Sequence, residues 1–431
     1  MVAVLVIVFV LLLILGVPIA FSLVAAALIA MAVATPFGLE VVVQRMVGGV
    51  NSFPLVAIPF FVLAGLIMGK GGMSRRLITF ARNLVGALPA GLALVMVLAS
   101  MMFAAISGSG AATTATIGAV MIPALAKSRG FTLPSAAALQ TTSGCIGVII
   151  PPSVPLILMG VIAGISVGDL FLAGVVPGIL MGVSLMVMSM LYAFWHRNEG
   201  GEEDRVARVS FGELMRSVWH AILPMMTLVI IMGGIIGGVF TPTEAGIVAV
   251  VYALGVCLLF YRELKWNDFP ELLREAVTIT AVVVLCISAA APFAWLLTIE
   301  QVPQQIAQGM LAFTDNRFVL VALMLLVLLM IGTFLDLTPA MLILVPVFFP
   351  IARAMGMPDL QFGMMVTMAL AIGQCTPPLG VSLFVACGVA KCRIGELVRP
   401  LLPFLAALLV ALVATAFIPA LSTWLPLALK D

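Results

Sequence analysis

The chain has 431 residues, of which 64% are hydrophobic and 9% charged, with a formal net charge of +2 and a mean hydropathy of +1.30. A soluble domain carries about a quarter charged residues, so this composition excludes one and points to an all-α polytopic membrane protein embedded in a lipid bilayer. The small net charge and the lack of a long basic tract exclude a nucleic-acid partner. Six cysteines without C-x-x-C spacing read as packed, reduced thiols rather than a disulfide or metal set.

A crossing needs about 20 apolar residues, and on that measure the chain predicts nine crossings and two hairpins that enter and return. Residues 1–15 lack a basic leader and a small-residue cleavage site, so they read as a retained span within a first crossing over 2–33, kinked at Gly16-Val17-Pro18. Crossings follow at 54–69, 134–165, 169–195, 218–240, 245–261, 277–297, 358–390 and 396–425. Residues 90–126 and 318–353 are too long for one crossing and carry small or polar centres, which predicts re-entrant helical hairpins. Segments 39–50, 73–86, 266–275 and 300–313 read as interfacial amphipathic helices, with Arg75, Arg76 and Arg82 facing headgroups or water.

Charge placement orients the spans. With Lys127 and Arg129 at a cytoplasmic hairpin base, alternation puts inside the 196–216 loop with Arg197, Arg205, Arg208 and Arg216, together with Arg262, Lys265, Lys391 and Arg393. The loops at 241–244 and 299–301 fall outside and carry no Lys or Arg. The N-terminus is then cytoplasmic and the C-terminus on the far side. Arg317 and Arg353 are exceptions, with Asp315 and Asp359 as expected partners.

Two crossings are interrupted in the same way. Gly144-Cys145-Ile146-Gly147-Val148-Ile149-Ile150-Pro151-Pro152-Ser153 and Gly373-Gln374-Cys375-Thr376-Pro377-Pro378-Leu379-Gly380 each set paired prolines in apolar sequence. Proline lacks the amide hydrogen, so Pro151 and Pro152 leave the carbonyls of Gly147 and Val148 without helical donors. Pro377 and Pro378 do the same to Gly373 and Gln374. An unsatisfied carbonyl in hydrocarbon costs several kcal/mol and is tolerated only where it faces protein, water or an ion. Paired breaks in corresponding halves mark a transporter's binding site.

The landmarks repeat at an offset of about 226 residues. Pro151-Pro152 matches Pro377-Pro378, Gly168-Asp169-Leu170 matches Gly395-Glu396-Leu397, and Pro177 matches Pro403. One extra crossing, 218–240, lies between the halves and inverts the second copy, giving inverted repeats with two discontinuous helices. The division that follows is scaffold and interfacial arms at 1–89, a first transport half at 90–168, scaffold and connecting helices at 169–317, a second transport half at 318–395 and a C-terminal helix at 396–431.

The hairpin turns carry the remaining chemistry. The first, over 106–114, combines glycines that permit positive φ with hydroxyls that supply oxygen without charge; the second turns over 332–339. Against the broken spans, each tip would complete a cage of carbonyl and hydroxyl oxygens suited to a hard monovalent cation, while half-helix N-termini suit an anion. Ser and Thr in membrane helices also bond their own backbone, so either role is open for each hydroxyl. Asp336 is the one carboxylate expected at membrane depth, either contacting ion or substrate or capping the helix that begins near Pro339. A proton relay needs several titratable groups, whereas sodium needs only oxygens, so sodium is favoured.

The ordered runs ISGSGAATT, GVIIPPS, GGVFTPTEAG (237–246), FLDLTPA and CTPPLG resemble the large membrane subunit (permease, M) of tripartite ATP-independent periplasmic (TRAP) transporters, of the ion transporter superfamily, over essentially the whole chain. The resemblance implies sodium-coupled uptake of an organic acid anion across a bacterial-type inner membrane. It implies an elevator mechanism, in which hairpins and broken spans slide against the scaffold. It also implies a small four-helix membrane subunit, expected as a separate chain, and a periplasmic substrate-binding protein. Carried over residue by residue, it assigns two sodium sites: Ser107, Ser143, Gly147, Val148 and Pro151 at the first tip and break, and Gly332, Thr333, Gly373 and Thr376, with Asp336 nearby, at the second. Substrate is expected between the tips, near Ser109, Thr113, Ser153, Thr338 and Ser382. No membrane-depth arginine is evident to clamp a carboxylate, so neutral donors and helix ends would serve.

Other classes fare worse. The only histidines, His196 and His220, lie near the cytoplasmic loop, so no Ser–His pair at depth supports an intramembrane enzyme. The absence of a GxxxxGK[ST] loop disfavours ATP-driven transport. A channel or another ion-coupled carrier of related hairpin architecture is the alternative.

Overall fold

A computed structural model describes residues 1–34, 37–197, 210–314, 316–377 and 380–429. Arg205, Arg208, Asp315, Pro378 and Leu379, used to orient the spans and define the second break, lie outside the described residues. Every element among the described residues is a helix. The chain opens with α1 (Val2–Ile14), α2 (Ile19–Ala34), α3 (Glu40–Val50), α4 (Ala57–Lys70, entered through a 3-10 turn at Phe53–Val56) and α5 (Met73–Val85). A first helix pair, α6 (Gly91–Ser107) and α7 (Gly110–Leu125), precedes the first broken helix, α8 (Leu133–Cys145) and α9 (Val154–Ala163), and then α10 (Val167–Trp195). Next come α11 (Phe211–Ile236), α12 (Pro242–Leu254, prolonged by a π turn over Gly255–Phe260), α13 (Phe269–Ile299) and α14 (Val302–Phe313). The second pair is α15 (Arg317–Phe334) and α16 (Leu337–Ala354), the second broken helix α17 (Asp359–Gly373) and α18 (Val381–Ala390), and α19 (Ile394–Phe417) and α20 (Ala420–Ala428) follow. Eight helices among the described residues are long and apolar enough to cross a bilayer.

Local chemistry sets most boundaries. Thr241 and Glu244 close a capping box at the start of α12, with Glu244 Oε2 accepting the Thr241 amide at 2.7 Å. Three expected boundaries change. Gly16 takes φ +78° and α2 folds back along α1, so 2–33 is a helical hairpin rather than one kinked crossing, with Phe9 of α1 packed 5.2 Å from the Phe293 ring of α13. Residues 266–275 are no separate interfacial segment. After a 3-10 turn at Trp266–Asp268 they are the first turns of α13, where Pro270 occupies a first-turn position that needs no amide hydrogen. At the end of α19, φ and ψ turn extended at Ile418 and α20 swings aside onto α10, so 396–425 is two helices.

Two packing groups result. In one, α12 lies on α4, α13 on α2 and α3, and α11 on α5 and α12. The other interlocks the two halves of the chain: α7 lies on α8, α15 on α17, α18 crosses onto α7 and α8, and α9 crosses onto α16. The helix α10, expected in the scaffold, packs mainly on α19, α20 and α6. Between the groups, α13 contacts both α4 and α16. At the periphery Arg353 forms a bidentate pair with its expected partner Asp359, at 3.1 and 2.8 Å. Arg76 is not simply turned to headgroups: it pairs with Glu263 at 2.7 Å and lies 3.5 Å above the Tyr261 ring. All six cysteines are free thiols.

Candidate functional site

The first helix pair turns so as to bring oxygen atoms against the first break. Gly108 reverses the chain with φ +60°, and a Cβ there would stand 2.7 Å from the Pro152 carbonyl oxygen. A Cβ on Gly147 would stand 2.9 Å from both the Ser109 carbonyl oxygen and Thr113 Oγ1. Glycine is therefore a packing requirement on both sides of this contact.

The hydroxyls of the tip form a directed chain. Thr113 Oγ1 donates to the Ser109 carbonyl at 2.8 Å, which leaves Ser107 Oγ to donate to Thr113 Oγ1 at 3.0 Å. Below them Gln140, fully buried in α8, donates to Ser100 Oγ and to the Thr113 carbonyl, both at 3.3 Å. Its Oε1 has no partner among the described residues. Gln140 is not among the residues expected at the site, although a lone amide in an apolar helix is a signal visible in the sequence.

At the break the two carbonyls denied helical donors part ways. Ser153 Oγ donates to the Val148 carbonyl at 2.6 Å and caps α9 by accepting the Leu156 amide at 3.4 Å. Val148 is thus supplied by a side chain rather than left open. The Gly147 carbonyl receives no hydrogen bond from a described residue. Ser143, one turn back along α8, donates to the Leu139 carbonyl at 2.7 Å, and Pro151 is buried.

The second tip is built differently. Helices α15 and α17 cross through glycines, so close that a Cβ on Gly373 would lie 2.6 Å from the Gly332 backbone. Thr333 and Thr376 donate to carbonyls of their own helices, Met330 at 2.7 Å and Ile372 at 2.8 Å. The Gly373 carbonyl, expected to be stranded by Pro377, accepts the Thr376 amide at 2.9 Å, because the chain tightens into a 3-10-type turn before the proline. Asp336 occupies the N-cap position of α16 without a cap hydrogen bond. Its carboxylate instead accepts the side-chain amide of Gln374. The side chain of Gln374, whose carbonyl alone was expected to matter, is a second contributor, since only the fold brings these two positions together.

Both tips, both breaks and two helices of the first packing group border one half-open cavity of about 550 Å³, a volume suited to a small organic ligand. Ser107, Ser109, Val148, Asp336, Thr338, Gln374 and Ser382 line it, and α4 and α13 form the facing wall from Val62 to Lys70 and from Leu272 to Val283. Asp336 is exposed to this space rather than buried. Thr113 and Ser153, expected beside the substrate, do not line it: they are 0% and 1% exposed and spent on the bonds just described. Ser143, Gly147, Pro151, Gly332, Thr333, Gly373 and Thr376 are likewise outside the lining.

The family profile described as "Tripartite ATP-independent periplasmic transporter, DctM component" matches residues 6–421. The isethionate TRAP transporter permease protein DctMQ of Oleidesulfovibrio alaskensis is 42% identical over 413 residues, which are 96% of this chain and 64% of that protein. This chain thus spans just under two thirds of that relative's length. The sialic acid TRAP transporter large permease protein SiaM of Vibrio cholerae is 38% identical over 95% of each chain. The C4-dicarboxylate TRAP transporter large permease protein DctM of Pseudomonas aeruginosa is 39% identical over 87% of this chain and 86% of that one. Among solved structures, the Alcanivorax borkumensis YdaH transporter shares the fold, with a TM-score of 0.62 at 16% identity, covering 95% of this chain and 97% of that one. The profile match across nearly the whole chain and the permease relatives together make this multi-pass membrane chain a member of the DctM family, the large permease component of tripartite ATP-independent periplasmic transporters.

Proposed function

We propose that this chain carries an organic acid anion inward across the inner membrane together with sodium, as the large subunit of a binding-protein-dependent transporter. The observation that carries the reading is the gathering of two helix-pair tips and two broken helices around one cavity of about 550 Å³. Isethionate, sialic acid and C4-dicarboxylates, named for the relatives, are anions at neutral pH, which supports an anionic cargo. Ser109, Thr338 and Ser382 face the space such a cargo would take.

Sodium suits the neutral oxygens offered. At the first site the Gly147 carbonyl has no donor among the described residues, and the Ser107 hydroxyl and the second lone pair of the Val148 carbonyl offer further neutral oxygens, with Ser143 and Pro151 shaping the turn. At the second, Gly332, Thr333, Gly373 and Thr376 supply carbonyls and hydroxyls and Asp336 adds the only charge. The packing of α6–α10 and α15–α20 as one interlocked group against α1–α4 and α11–α13 supports an elevator of inverted repeats, its tips entering the membrane from opposite sides. A small four-helix subunit braces the fixed group and a periplasmic binding protein delivers cargo. In this arrangement the C-terminus is periplasmic. With α2 doubled back on α1, the N-terminus is on the periplasmic side as well, against the expectation from a single first crossing, and α3, α5 and α14 lie in the interface.

The test is uptake into proteoliposomes holding the chain with its small subunit, with its binding protein outside and an inward sodium gradient. Labelled isethionate, succinate or N-acetylneuraminate accumulates, and accumulation collapses when choline replaces sodium. Replacing Pro151 and Pro152 together by alanine restores helical donors and abolishes uptake while insertion is retained. Undiminished uptake in that double variant would sink the cage, and ion conductance without accumulation would favour a channel.

A further inference from the structure

Among the described residues, three charged ones line the cavity that would hold the cargo, and one of them is positive. Lys70 ends α4, Glu275 lies on α13, and Asp336 comes from the second tip. An anion entering this space meets two repelling carboxylates, and a charge without a partner is costly wherever water is scarce. Asp336 is engaged by the Gln374 amide. Lys70 is the one cation among the described lining residues that can balance an anion.

The geometry leaves Lys70 a free hand. An ammonium group has three donors, and here two of its neighbours are Asp268, at 3.3 Å, and Glu271. Lys70 lines the cavity, and one donor remains once both carboxylates are served. Gly65 of α4 abuts the first tip, where a Cβ would lie 3.0 Å from Ser107 Cα. Five residues on, at 1.5 Å rise each, Lys70 stands about 7.5 Å farther along the helix axis. A small organic acid can span that interval with one end at the tip and its anionic group at Lys70.

We propose that Lys70 binds the oxyanion of the cargo, a carboxylate or sulfonate, as it leaves the cavity, and that Asp268 and Glu271 compete for the same ammonium and so release it. This rests on the transport reading above and deepens it, because it assigns recognition of the anionic group to the fixed wall rather than to the moving tips. Retention of cargo is then set by a contest. Removing the cation weakens it, and removing a competing acid strengthens it.

The experiment uses the complete transporter in vesicles preloaded with unlabelled anion, taking whichever of isethionate, succinate and N-acetylneuraminate the wild type moves. The internal concentration that halves initial uptake reports occupancy of the cavity from the exit side. Lys70→Gln raises that concentration about tenfold, the loss of one charge-assisted hydrogen bond, while Lys70→Arg keeps it within about threefold. Glu271→Gln lowers it about threefold, as expected for removing one exposed competitor. If Lys70 only tied α4 to α13, Lys70→Gln and Glu271→Gln would both break the tie and shift the value in the same direction. That agreement, or a Lys70→Gln variant equal to wild type, overturns the inference. Where Lys70→Gln fails to insert, Glu271→Gln decides alone: a fall supports the inference, and a rise or no change overturns it. A wild type that takes up none of the three anions with sodium fails the transport reading itself, and this inference falls with it before any variant is made.

Discussion

Replacing Gly373 by alanine probes the crossing that brings the second tip against the second break. The new Cβ would stand 2.6 Å from Gly332 Cα and carbonyl carbon. Carbon contacts settle near 3.5 Å or beyond, so α15 and α17 must part by about 0.9 Å. Both atoms struck are backbone and cannot rotate aside. Overpacking of this kind costs about 1–3 kcal/mol of stability, read as a lower melting temperature in detergent. The displacement also exceeds the roughly 0.5 Å tolerance of a preorganised binding constellation, so the half-saturating sodium concentration for uptake should rise about tenfold, equivalent to about 1.4 kcal/mol. Gly388→Ala is the control: nothing lies within 4 Å of its Cβ position, and it should gain up to about 1 kcal/mol of helix propensity with sodium dependence unchanged. A Gly373→Ala protein with wild-type melting and sodium dependence would refute the inference from contact to site.

Two further substitutions separate the roles of polar side chains. Ser153→Ala removes the donor to the Val148 carbonyl and the cap of α9; it should cost about 1–3 kcal/mol in thermal melting, with Ser153→Thr recovering most of it. Gln374→Leu removes the donor to Asp336 and should slow initial uptake about tenfold, the worth of a hydrogen bond to a charged group, while an unchanged rate would leave the pair a packing contact.

The proline pairs and the glycine-rich first turn are legible in the sequence because each acts through its own few residues. Direction after a break was not. Gly16 and Pro18 announce a stop, but whether α2 continues α1 or doubles back on it depends on packing, including that of Phe9 against Phe293, 284 positions away in sequence. Charge disguises 269–275, where Glu271, Arg274 and Glu275 lower the hydropathy of the first turns of one long helix, α13. The fate of the freed carbonyls was equally hidden, since Ser153 reaches back five residues to Val148 only through the shape of the turn. Gln374 and Lys70 acquire their meaning from partners on other helices, Asp336 in one case and Asp268 with Glu271 in the other, and no local pattern announces such pairs.

The hydroxyl chain at the first tip has a consequence for the environments in which the protein can work. Thr113 spends its proton on Ser109 and Ser107 spends its own on Thr113, so the oxygens present lone pairs whose orientation is dictated by neighbours. Alcohols neither gain nor lose protons at any biological acidity. A change in acidity therefore leaves this chain of hydroxyls unaltered, and among the described residues around the cavity a response to acidity has to come from the charged side chains.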